Sequence, residues 1–377
     1  MKFHSSFIIY LPLIMLPVLL FGCGQGDGPA TPVPPVDKAT LPTTPERGGA
    51  IIEAMLAEPS NLIPPLATDG ASHEVSSQIY VSLVRYDKNI ELTPYAAESF
   101  SVEDDGKLLK FKLREDIRWF DGEPLTAEDV EFTYRLMIDP ETPTAYAANF
   151  LAVKEFRRTG KYTIEVEYDE PFAKALVTWA MSILPKHALE EENLLDTKYS
   201  RDPLGAGPYM LAQWVPGSQV VLEANPNFFD GAPFIERVIY RIIPDLSTQF
   251  LELKAGNLDS MALTPLQFLY QTSGPGWDGS FQKFEYLASG YSFLGFNFKH
   301  PFFQDVRVRR AIDHAIDRRE IVKGVLYGLG EAANGPYKPG TWQYNEDVKP
   351  RAYDLDASRR LLAEAGWVDT DDDGLLD

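Results

Sequence analysis

Asp369, Asp371 and Asp373, followed by Gly374, set carboxylates at alternate positions, the spacing with which the first half of a calcium loop converges its oxygens on one ion. The bidentate acid that closes such a loop at about its twelfth position would fall past the last residue, Asp377. The run therefore reads first as a solvated acidic turn, and the three aspartates stand only as a weak calcium candidate. Gly205-Ala206-Gly207 has the look of a phosphate-cradling loop, but it lacks the third glycine, the following helix and a Lys-Ser/Thr pair, so it is read as a sharp backbone turn. The histidines at 4, 73, 187, 300 and 314 are scattered, and none forms a two-histidine metal motif or stands beside a recognisable nucleophile. Acid pairs such as Glu103 and Asp104 are commonplace in so acidic a chain and say little about general acid-base catalysis. No resident cofactor and no catalytic residue is expected.

The elements that must position any site come from a chain of 377 residues, 45% of them apolar and 24% charged, enough for two domains with a sizeable core. Its 55 acidic residues against 35 basic ones give a net charge of −20, so a nucleic-acid backbone would meet a repulsive field. The single cysteine, Cys23, excludes an intramolecular disulfide and any multi-cysteine metal site. Residues 7–21 form an apolar run behind Lys2, broken by Pro12 and Pro17 and too short for a comfortable membrane span, which reads as the core of a signal peptide over 1–22. Leu20-Phe21-Gly22-Cys23 resembles the bacterial lipobox, although Phe21 is bulkier than usual there, which makes Cys23 the expected lipid-bearing residue. An uncleaved anchor with an incidental cysteine is the other reading; either way the remainder lies outside the cytoplasmic membrane, on its periplasmic or cell-surface side. Residues 23–48, rich in Pro, Thr and Gly, read as an extended tether with a reach on the order of 70 Å.

From residue 49 onward strands and helices interleave. Residues 51–56 read as a strand and 72–83 as a helix. Leu109, Phe111 and Leu113 alternate with Lys110, Lys112 and Arg114, the pattern of a half-buried strand, and Asp104-Asp105-Gly106 supplies the turn before it. Thr126 with Asp129 three residues on predicts a capping box, opening a helix that puts Val130, Tyr134 and Met137 on one face. Tyr162, Ile164, Val166 and Tyr168 alternate in another strand, and Pro216-Gly217 turns a hairpin. Residues 238–243, 247–255 and 258–262 read as a strand-helix-strand unit of an open α/β sheet, which places a ligand cleft near Ala262-Leu263-Thr264, beyond the carboxyl end of the last strand. Helices are predicted over 306–316 behind Asp305 and over 355–365 before Gly366.

Several of these blocks together resemble one family. Ala97-Glu98-Ser99-Phe100, Leu109 to Arg114, Trp119-Phe120-Asp121-Gly122 and Thr126-Ala127-Glu128-Asp129-Val130 look like the signature of the family 5 solute-binding proteins, the dipeptide, oligopeptide and nickel binders of ABC importers. Gly205-Ala206-Gly207-Pro208-Tyr209, Phe296-Asn297, Val306-Arg307-Val308-Arg309-Arg310-Ala311-Ile312 and Leu361-Leu362-Ala363-Glu364-Ala365-Gly366-Trp367 follow in the family's order. The resemblance implies a two-lobed α/β fold of the periplasmic-binding type II kind that closes over a solute and docks on an inner-membrane permease. Lobe I would occupy 49–294 and the first part of lobe II 295–377, with the rest of that lobe past Asp377.

The resemblance also implies site residues. Thr68-Asp69-Gly70 match the segment that contacts bound peptide in oligopeptide binders, and Tyr146 falls on a tyrosine that faces the peptide. Leu263 and Thr264 match pocket positions that are polar or aromatic in those relatives, a departure that bears on peptide preference. Each has a plainer reading: Tyr146 as a half-buried aromatic, Asp69 as a turn former, Leu263 as packing. The functional expectation is a lipid-anchored, monomeric subunit that captures short peptides for import without altering them. Other solutes such as a nickel chelate or an oligosaccharide suit the same scaffold. A secreted hydrolase with an acidic pair in its cleft, and a lipid-anchored sensor or chaperone, are the readings from other classes.

Overall fold

The computed structural model describes residues 44–377 except 289, 342, 372 and 377. The expected signal peptide, Cys23 and the tether up to residue 43 lie outside the described residues. Strand β1 (Gly48–Met55) starts inside the segment expected to be tether.

Two four-stranded sheets hold the core. After β1 come α1 (Gly70–Ile79), the small β2 (Val84–Tyr86) and β3 (Leu92–Pro94) hairpin, β4 (Ala97–Glu103), β5 (Leu108–Leu113) and α2 (Ala127–Ile138). The short α3 (Ala147–Phe150), β6 (Val153–Gly160), β7 (Thr163–Tyr168), α4 (Ala175–Thr178) and α5 (Lys186–Leu189) follow, then β8 (Tyr209–Val215), β9 (Gln219–Ala224), β10 (Ile235–Ile242) and α6 (Leu246–Lys254). One sheet runs β4-β5-β7-β6, all antiparallel. The other runs β1-β10-β9-β8, with β1 and β10 parallel and the rest antiparallel.

The local signals work as elementary physics expects. Central β5 turns Leu109, Phe111 and Leu113 inward, where Phe111 meets Phe100 and Ile164 across the ladder. Its outward Lys110 and Lys112 pair with Glu103 and Glu98 at 2.6 Å each, on a wetted face. Asp104, Asp105 and Gly106 all adopt positive φ in the turn before β5, which short polar residues and glycine tolerate best. Thr126 and Asp129 close the capping box: the Asp129 carboxylate accepts from Thr126 N at 2.8 Å, and Thr126 Oγ1 accepts from Glu128 N at 3.2 Å. Trp179 lies at the centre of an aromatic cluster with Phe111, Tyr134, Phe150 and Phe156. Burial of this many rings supplies much of the core's hydrophobic stabilisation.

Three expectations need correction. Helix α1 covers Gly70–Ile79 rather than 72–83, because Asp69 caps it two residues earlier and Tyr80 leaves in an extended conformation. Residues 258–262 form no full strand; a single parallel bridge joins Ser260 to Glu53, since Asp259 turns its side chain back to accept from Ile52 N at 2.7 Å. Gly205 and Gly207 are not turn glycines: neither has positive φ, and both lie against the end of α1. A Cβ on Gly205 would fall 2.0 Å from the Ile79 carbonyl oxygen, and Gly207 N donates to that same oxygen at 2.7 Å. Close backbone approach, not bending, demands the missing side chains.

Beyond residue 260 the described chain is helical or irregular. Short α7 (Pro275–Asp278) and α8 (Pro301–Gln304) precede α9 (Val306–Ala315), α10 (Arg318–Gly324) and α11 (Leu355–Glu364). Helices α9 and α11 pack on each other through Val308, Ala311 and Ala357, with Asp305 and Asp354 as their N-caps. Gly366, at φ +95, lies just past α11 as predicted. Among the described residues no helix is long and apolar enough to cross a membrane.

Candidate functional site

Parallel β1 and β10 end on the same edge of their sheet, and the Ser260 bridge runs parallel to β1 beside it. The loops leaving that edge are residues 56–69, 243–245 and 261–264. Such an edge, at the carboxyl ends of parallel strands, is where an open α/β sheet takes ligands.

The first loop is built stiffly. Leu62 and Ile63 are fully buried, Leu62 N donates to Ser200 O at 3.0 Å, and Ala67 N to Ile63 O at 3.2 Å. Asp69 ends the loop as the N-cap of α1. Its Oδ1 accepts from Ser72 N at 2.7 Å, while Oδ2 accepts from Ser60 Oγ at 2.5 Å and Ser72 Oγ at 2.7 Å. Burial works to raise the pKa of this carboxyl, but the serine hydrogen bonds outweigh it and hold it down to about 2. Both oxygens are thus committed within the protein. Thr68 and Gly70 on either side are exposed, and a Cβ on Gly70 would meet nothing within 4 Å.

Tyr146, placed just before α3, reaches this loop across 79 residues of sequence: its hydroxyl donates to the Ala67 carbonyl oxygen at 2.9 Å. His73, on the first turns of α1, brings Nε2 to 2.8 Å from the same hydroxyl, with the two rings edge to face at 5.8 Å. Four of the expected site residues, Thr68, Asp69, Gly70 and Tyr146, are therefore gathered at one place. The other two stand on the neighbouring loop. Thr264 N donates to Gln267 Oε1 at 2.8 Å, and Thr264 Oγ1 accepts from Gln267 N at 3.3 Å, fixing the turn into residues 265–271. Leu263 is half-buried.

Sequence reasoning missed three groups here. His73 was one scattered histidine among five, and only the fold pairs it with Tyr146. Glu53 on β1 lies in register with Tyr240 on β10. Glu74 follows His73 on α1; burial, and then the charge of Glu53, raise its carboxyl above the usual range. Burial likewise pushes the Tyr240 hydroxyl up, helped by Glu74 and Glu53. The one legible sign was that Glu53 interrupts the face that Ile51 and Met55 share on β1.

Other clusters have structural roles. His187 meets Asp121 at 2.8 Å and packs its ring against Trp119. Glu58 accepts from Trp214 Nε1 at 2.7 Å and from Gly217 N at 3.1 Å, beside a recess of about 560 Å³. A second recess of about 420 Å³ is lined by Tyr270, Arg319, Lys323 and Tyr327. Neither includes the expected site residues. Asp369, Asp371 and Asp373 bring one carboxylate oxygen each to within 4.8 Å of one another. Asp369 also accepts from Gly374 N at 2.9 Å and Asp373 from Leu375 N at 2.7 Å, bonds that shape an exposed turn.

An α/β chain with this sheet edge is of the two-lobed periplasmic-binding class. Residues 91–376 match the family described as bacterial extracellular solute-binding proteins, family 5. The chain belongs to that family, whose members are binding proteins and not enzymes. It is 30% identical over 347 residues to the oligopeptide-binding protein AppA of Bacillus subtilis, covering 88% of this chain and 62% of that protein. The structure of AppA in complex with a nonapeptide superposes with a TM-score of 0.80, over 89% of this chain and 67% of that one, at 30% identity. NikZ of Campylobacter jejuni in complex with Ni(L-His) is similar at TM-score 0.77 and 28% identity, over 87% of this chain and 66% of that one. DppA of Helicobacter pylori in complex with the peptide STSA reaches 0.75 at 27% identity, over 85% and 67%. The chain spans close to three fifths of the length of the curated relatives it matches.

Proposed function

We propose that this chain captures short peptides outside the cytoplasmic membrane and delivers them to the permease of an ABC importer. The observation that carries the reading is the convergence of the Tyr146 hydroxyl on the Ala67 carbonyl oxygen, beside the exposed Thr68 and Gly70, at the sheet edge where the fold takes ligands. AppA and DppA, each solved with a peptide, support the cargo class. A groove that grips the ligand main chain leaves its side chains to water and so accepts many sequences. In this reading residues 1–22 are removed on export, Cys23 carries the lipid, 23–48 tether a monomer, 49–294 form lobe I, and 295–377 contribute to lobe II.

A nickel chelate is the second reading, favoured by the likeness to NikZ and by the exposed imidazole of His73. Isothermal titration of the chain with trialanine and, separately, with nickel-histidine decides between them. Heat from trialanine alone is expected. Saturable binding of nickel-histidine with none of trialanine overturns the peptide assignment.

A further inference from the structure

We propose that Glu53 on β1, Glu74 on α1 and Tyr240 on β10 form a binding site for a primary ammonium group. Glu53 and Tyr240 are register partners on parallel neighbouring strands, so their side chains leave one face of the sheet side by side. Glu74 borders the buried stripe of α1 formed by Ala71, Val75 and Ile79, and its carboxylate acts together with that of Glu53 on the Tyr240 hydroxyl. Tyr240 is 4% exposed, yet among the described residues its hydroxyl has no hydrogen-bond partner. A buried phenol left unpaired beside two acids is costly unless something else completes its bonding.

The charge at this place is also uncompensated. Among the described residues neither carboxylate pairs with a cation or accepts a hydrogen bond. Arg237 and Arg241, one position to either side of the Val238 and Tyr240 face, belong to the opposite face of β10, where Arg241 pairs with Glu252 at 2.6 Å. Burial, and then the charge of Glu53, raise the Glu74 carboxyl, as befits a negative pair without its counter-charge. An ammonium brings three N–H donors and one positive charge, which two carboxylates and a phenolic oxygen match one for one. Calcium would want six to eight oxygens, and a guanidinium fork is best met by a single carboxylate. The net charge of −20 draws cations towards the surface. The site does not depend on the peptide reading, since the ammonium can belong to a free amine or to a lysine side chain.

Titration of the whole chain at neutral pH with butylammonium chloride and with Nα-acetyl-lysine methylamide tests this, against tetramethylammonium chloride, which has the charge without the N–H donors. Saturable binding of one or both amines is expected, with tetramethylammonium at least about tenfold weaker. Binding of butylammonium alone assigns the site to free amines, and binding of the acetyl-lysine amide alone to a lysine side chain. Glu53→Gln and Glu74→Gln are each expected to weaken the amine about tenfold, the scale of one charge-assisted hydrogen bond, and Tyr240→Phe about fivefold. Because the two acids repel one another in the empty site, each glutamine variant is expected to unfold, without ligand, at the temperature of the parent chain or above it. No saturable amine binding, equal binding of tetramethylammonium, or amine binding indifferent to all three substitutions overturns the proposal. So does a lowered unfolding temperature in both glutamine variants, which would give the carboxylates a structural role instead.

Discussion

Leu109, Phe111 and Leu113 in β5 are 1%, 2% and 0% exposed, whereas Phe284, Tyr286 and Phe293 in residues 281–298 are 74%, 81% and 76% exposed. Both stretches alternate large apolar side chains with smaller or polar ones. The first has β4 on one side and β7 on the other; the second forms no strand among the described residues. Alternation states which face a strand would bury, but a strand exists only where neighbours satisfy its backbone groups and a second layer covers its face. The same residue types are therefore covered in one region and exposed in the other.

The comparison can be broken most sharply at its buried end. Phe111→Ala, which empties space among Phe100, Ile164 and Trp179, is expected to cost about 3–5 kcal/mol in urea unfolding; a loss near zero would place the core elsewhere. Gly205→Ala should cost about 1–3 kcal/mol by thermal unfolding, because its Cβ would overlap the Ile79 carbonyl, and it should exceed the cost of Gly217→Ala in the open hairpin turn.

Asp69→Ala should cost about 1 kcal/mol through loss of the cap of α1. Its carboxyl titrates lower folded than unfolded, so its contribution is fully present above the ordinary carboxylate pKa and disappears as pH falls towards about 2. Unfolding of the parent chain followed between pH 4 and 2 should show that loss, and Asp69→Asn should flatten the profile in the same window. The smallest effect belongs to the exposed stretch: Phe284→Lys and Phe293→Lys should leave stability within about 0.5 kcal/mol of the parent. A loss matching that of Phe111→Ala would mean that these rings are covered in solution.

The sequence alone determined what neighbouring residues decide together. The Thr126–Asp129 box, the Pro216-Gly217 hairpin, the period-two faces of β5 and β7 and the caps at Asp305 and Gly366 are short-range, since capping and turn energetics act within a few residues. The family blocks were legible for the same reason, being runs of local fit. Tertiary structure decided what needs a distant partner. His73 and Tyr146 are 73 residues apart and meet only because α1 and the segment before α3 fold onto one loop. Gly205 and Gly207 looked like bending residues until Ile79 was seen against them, and 258–262 looked like a strand until Asp259 tied down a single bridge. Spacing encodes periodicity and caps; the meeting of remote groups depends on which layers pack, which no local window contains.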